Sequence, residues 1–74
     1  MKNQKLVGYI AVILETSLEE IESAKSFSNF DRFDSLAVIQ IAAILDSEFN
    51  CAIEPEQFEL LDSMDSIINL ISSN

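Results

Sequence analysis

A chain of 74 residues with 13 acidic and 4 basic side chains, no His and no Trp carries a formal net charge of -9. Its 49% hydrophobic content excludes an acidic disordered tail, and one Gly and one Pro leave little turn chemistry for a many-stranded β fold. The charge leaves nothing to neutralise the phosphates of a nucleic acid, so none is expected as a partner; without His there is no Ser-His couple, and one Cys builds neither a thiolate metal site nor an intramolecular disulfide.

In chain order, Leu6, Val7, Ile10, Ile13 and Leu14 recur at helical spacing after Asn3, a candidate N-cap, and predict a first helix over about residues 3–15. Lys2 and Lys5 followed by apolar Leu6 to Leu14 are similar to a weak signal peptide. Gly8 and Tyr9 interrupt the run, and Glu15 follows without a small-residue cleavage site. The run is far too short to cross a bilayer, so a cytoplasmic chain with no membrane insertion is expected. Residues 16–33 show no sustained period and are expected to form one long connection, pinned to the core by Leu18, Ile21, Phe27, Phe30 and Phe33.

A second helix is predicted from Asp34 or Ser35 to Phe49, since residues 36–45 are apolar except for Gln40 and rich in Ala, with no turn signal. Pro55 opens a short third helix over about residues 55–61, with Glu56 in its first turn, where the helix dipole favours an acid. Asp62 or Ser63 caps a fourth helix, whose stripe is Met64, Ile67, Ile68 and Ile71. The fold class is therefore all-α, a four-helix bundle with a long first loop and a short third helix, in a single domain covering residues 1–74.

The second helix has more apolar surface than one core face requires. At about 100° per residue, Val38, Ile41, Ala42, Leu45 and Phe49 share one arc, which is a sufficient core stripe. Leu36, Ile39 and Ala43 fall on the other side with Gln40, Asp46 and Ser47. Two readings stay open: the long loop covers Leu36 and Ile39, or they form an exposed docking strip with an acidic rim.

That strip begins one residue after Ser35. As an N-cap, Asp34 or Ser35 accepts a first-turn N–H. As a modification site, a phosphodiester on Ser35 lies at a helix N-terminus, where free N–H groups favour an anion. A separate enzyme then supplies the catalysis that a chain without His lacks.

With Leu14, Glu19-Glu20-Ile21, Ser26-Phe27, Asp34-Ser35-Leu36, Leu45, Glu48-Phe49, Ile53, Ile67-Ile68 and Ile71 in order, the chain resembles the acyl carrier proteins of the phosphopantetheine-binding family over about residues 5–72. The resemblance implies a carrier rather than an enzyme, with no catalytic residue and no metal site of its own. It implies 4'-phosphopantetheine on Ser35, donated from coenzyme A by a phosphopantetheinyl transferase, whose terminal thiol holds an acyl group as a thioester. Implied partners are that transferase, an acyl- or aminoacyl-loading ligase, and acyltransferases or synthases, with the carrier a monomer. Asp34, Leu36, Ile39, Gln40, Ala43, Arg32 and Phe33 are the expected motif and docking residues. Cys51 is expected to be a small buried hydrophobe. An aminoacyl or peptidyl carrier loaded by an adenylating ligase is the alternative within the family; an unmodified helical interaction module is the alternative outside it.

The chain departs from fatty-acid carriers of that family. Those usually have Leu-Gly-Ala or similar before the motif, where this chain has Asp31-Arg32-Phe33. Phe33-Asp34-Ser35-Leu36-Ala37 is more similar to carriers of specialised pathways. Partner-facing positions that are often acidic in the family are Ala37, Gln40 and Ser47 here, with Asp34, Asp46 and Glu48 the nearby acids. The charge concentrates instead at Glu15, Glu19, Glu20 and Glu22 and at Glu54, Glu56, Glu59, Asp62 and Asp65. A docking surface that relies on Leu36 and Ile39 more than on carboxylates is the expectation.

Overall fold

The computed structural model describes the backbone of residues 2–72 and the side chains of residues 4–72. Among them every regular element is helical: α1 (Lys2–Ile13), α2 (Leu18–Ser23), a 3₁₀ turn (Phe27–Asn29), α3 (Ser35–Phe49), a 3₁₀ helix (Pro55–Leu60) and α4 (Met64–Ser72). The all-helical bundle expected from the sequence is present, with three corrections to its parts.

The first concerns α1, which starts at Lys2 and ends at Ile13. Asn3 thus lies inside the helix and is not its N-cap; its side chain is outside the described set. Glu15 takes the left-handed conformation at φ 53°. Its N–H donates to the Val12 carbonyl at 3.2 Å while the Thr16 N–H donates to the Ala11 carbonyl at 2.9 Å. This paired closure satisfies the last carbonyls and stops the helix before the expected boundary.

The second correction falls on residues 16–33, which are not one irregular loop. Ser17 caps α2, its side chain accepting the Glu20 N–H at 3.2 Å, and Glu19 and Glu20 occupy the first turn where the dipole favours them. Ile21 and Phe27 are completely buried, and Phe30 and Phe33 are half-buried against the core. Leu18 is no pin: it is 53% exposed. The Phe27 N–H donates to the Asp62 carbonyl at 2.7 Å, fastening this connection to the segment that enters α4.

Pro55–Leu60 is the third, a 3₁₀ helix instead of an α-helix. Glu54 and Gln57 close it by reciprocal side-chain to backbone bonds, with the Glu54 N–H donating to Gln57 Oε1 at 2.9 Å. Phe58 is half-buried and Leu61, just beyond the last turn, is fully buried, whereas Leu60 faces outward. Ser63 caps α4, accepting the Ser66 N–H at 3.2 Å. Met64 and Ile67 then enter the core, with Ile68, Leu70 and Ile71 around its edge.

The core is drawn from every part of the chain: Leu6, Val7, Ile10 and Ala11 of α1 with Leu14 just beyond it, Ile21 of α2, Phe27 of the 3₁₀ turn, Ala37, Ile41 and Leu45 of α3, then Cys51 and Leu61, and Met64 and Ile67 of α4. The Cys51 thiol is buried and donates to the Leu70 carbonyl at 3.7 Å, as a small hydrophobe with a weak donor would. On the outside, Glu48 Oε1 accepts from the Tyr9 hydroxyl at 3.2 Å and pairs with Lys5 at 3.5 Å, joining α1 to the last turn of α3. No helix among the described residues is long and apolar enough to cross a membrane.

Candidate functional site at the start of α3

Asp34 is the N-cap of α3. Its backbone is extended, and Oδ1 accepts the Ala37 N–H at 2.9 Å while its carbonyl accepts the Val38 N–H at 3.1 Å. The sequence left the cap open between Asp34 and Ser35; the structure gives it to Asp34. Ser35 is consequently the first helical residue, exposed, with no hydrogen-bond partner for its Oγ among the described residues. The N–H groups of Ser35 and Leu36 belong to the same first turn and precede any intrahelical acceptor. An anion attached to Ser35 Oγ meets unspent donors and the positive end of a 15-residue helix.

Leu36 is 62% exposed and Ile39 54%, so the long connection does not cover them. Gln40 and Ala43 are exposed beside them, and together they continue the surface that Ser35 opens. The core side of α3 is turned from the expected arc toward Ala37, which is 3% exposed and packs inward with Ile41 and Leu45. Ala37 is therefore not at a partner-facing position, because its side chain fills the core.

Phe33 is half-buried, its ring edge-on to Phe27 with centroids 6.0 Å apart, and its N–H donates to the Phe30 carbonyl at 3.1 Å. These contacts fix the residue directly before the cap. Arg32 reaches in another direction, with Nη2 3.2 Å from Glu15 Oε2. Sequence reading did not join these two residues: they lie 17 positions apart, and no period or motif links them. Because both side chains are more than half exposed, the pair contributes about 0–1 kcal/mol. It nevertheless ties the approach to Ser35 to the end of α1.

The family model for the phosphopantetheine attachment site matches residues 4–71. The chain belongs to this phosphopantetheine-binding carrier family. Its members carry covalently bound 4'-phosphopantetheine, and such carriers are served by phosphopantetheinyl transferases and by biosynthetic enzymes. No curated protein and no solved structure is a significant match to the chain. The first turn of α3 suits the carrier's group: an exposed serine, and first-turn N–H groups that precede any intrahelical acceptor.

Proposed function

We propose that this chain is an acyl carrier protein in which Ser35 bears the 4'-phosphopantetheine arm, and that it presents acyl groups to the enzymes of a specialised biosynthetic pathway. The observation that carries the reading is the division of labour at α3: Asp34 performs the capping, so the Ser35 hydroxyl is exposed and uncommitted. When bound, the arm supplies a terminal thiol on which cargo is held as a thioester.

The chain's own residues do four things in this reading. Asp34 fixes the start of the helix and thus the position of Ser35. Ser35 offers its Oγ to a transferase, which supplies the catalysis of the attachment, as suits a chain with no His. The first-turn N–H groups hold the phosphodiester. Leu36, Ile39, Gln40 and Ala43 form the docking strip, with Asp34, Arg32 and Phe33 at its leading edge. Cys51 takes no part, being buried. The carrier performs no catalysis, acts as a single cytoplasmic domain and monomer, and receives its cargo from a loading ligase.

Incubation with a phosphopantetheinyl transferase, Mg²⁺ and coenzyme A tests the reading by intact mass: one phosphopantetheine is added to the wild-type chain and none to Ser35→Ala. Loading the modified carrier with acyl- and with aminoacyl-ligases then decides the cargo class, with the acyl arm expected to succeed. The specialised-pathway part fails if the carrier supports fatty-acid elongation as well as a housekeeping carrier does.

A further inference from the structure

Glu15 occupies a position that suits it poorly. Its φ of 53° is the left-handed region, which a helix C-terminus normally gives to Gly or Asn. It also places a carboxylate just past the negative end of the α1 dipole. What the position offers Glu15 is Arg32, at 3.2 Å, and Arg32 is the cation nearest in sequence to Ser35, three residues before it. Of the other cations whose side chains are described, Lys5 is engaged by Glu48, while Lys25 lies ten residues upstream of Ser35, beyond the Phe27–Asn29 turn.

The ion pair is exposed and uses one nitrogen of the guanidinium, which has five N–H donors. The pair is thus easily rearranged, and Arg32 has donors left for a second anion. Three backbone steps span at most about 11 Å, within the combined reach of an arginine side chain and a phosphate carried on Oγ. Phe33 is half-buried against Phe27 and Asp34 Oδ1 accepts the Ala37 N–H, and the carboxylate that Arg32 pairs with is that of Glu15, 17 positions away.

We propose that Arg32 is the counter-ion of the phosphodiester formed on Ser35, kept near the site by Glu15 until modification supplies the second anion. The inference rests on the carrier reading above. It deepens that reading by assigning the arm's phosphate two sets of partners, the first-turn N–H groups of α3 and the Arg32 guanidinium. Arg32 is a positioning residue in this scheme: it holds the root of the arm against the bundle and takes no part in forming the bond.

The test compares the ¹⁵N-labelled chain before and after modification, with conversion verified by intact mass. The Arg32 Nε–Hε resonance is expected to move on modification, to move further in Glu15→Gln, and to lose the change as NaCl is raised. The phosphorus resonance of modified Arg32→Gln is expected to differ from wild type, with Arg32→Lys intermediate. Both residues are exposed, so the variants retain the fold, which the amide spectrum checks. An added phosphopantetheine that leaves the Arg32 resonance unmoved while the Leu36 and Ala37 amides shift overturns this inference alone. A chain that no transferase modifies overturns the carrier reading and this inference together.

Discussion

A capping serine spends its hydroxyl on a backbone N–H, which in the proposed reading would conflict with the group that Ser35 accepts. Asp34 resolves the conflict by accepting the Ala37 N–H itself. Asp34→Ala is expected to destabilise the chain by about 1 kcal/mol, read by urea unfolding, whereas Asp34→Asn keeps most of the cap. If the two variants unfold alike, the carboxylate acts through charge and not through the cap. In the core, Ile41→Ala is expected to remove about 2–5 kcal/mol, comparable with the roughly 3–5 kcal/mol total of a domain this small, and thus to leave a largely unfolded chain by circular dichroism. Leu36→Ser, on the same helix, is expected to change stability by no more than about 0.5 kcal/mol and to weaken docking of the modified carrier to its partners. Sequence periodicity put Ile41 on the core arc and Leu36 opposite it but left the exposure of Leu36 open, because only the path of the long connection determines whether it is covered.

At the scale of elements, α3 was legible because it is long, apolar and begins at an Asp-Ser pair. The Ser35 position followed from the same signals. α2 was not legible, since six residues give too short a window for a 3.6-residue period. Its signal was local: Ser17 followed by Glu20, the spacing of a capping box. Ile21 was already expected in the core, whereas the exposure of Leu18, three residues away on the same short helix, follows from its place in the first turn and not from spacing. Ser17→Ala is expected to speed amide hydrogen exchange in α2 selectively, by the equivalent of about 1 kcal/mol, while the amides of α3 stay protected. Equal acceleration in both helices would mean that α2 opens only with the whole fold. The 3₁₀ form of Pro55–Leu60 was hidden for a similar reason, as Pro and an early acid signal a helix start without specifying its pitch.

For the whole molecule, the balance of charge decides how salt acts. Thirteen acids against four bases repel one another throughout the bundle, and the described ion pairs, Lys5–Glu48 and Arg32–Glu15, are exposed and weak. Raising NaCl from low to physiological concentration is expected to raise Tm, because screening relieves more repulsion than it removes attraction. A fall in Tm would show that specific pairs outweigh the net field. The same charge distribution places few carboxylates on the α3 strip, where Leu36 and Ile39 lie exposed, and many on α2 and the Pro55–Leu60 region. In the proposed reading, steering and docking therefore fall to different parts of the surface.

The central claim is that Ser35 carries the arm, and intact mass measures it directly. After incubation with a phosphopantetheinyl transferase, Mg²⁺ and coenzyme A, the wild-type chain is expected to gain one phosphopantetheine, mapped to the peptide containing Ser35, and Ser35→Ala to gain none. A wild-type chain that gains nothing with any transferase, or a Ser35→Ala chain that gains the same mass, would contradict the account.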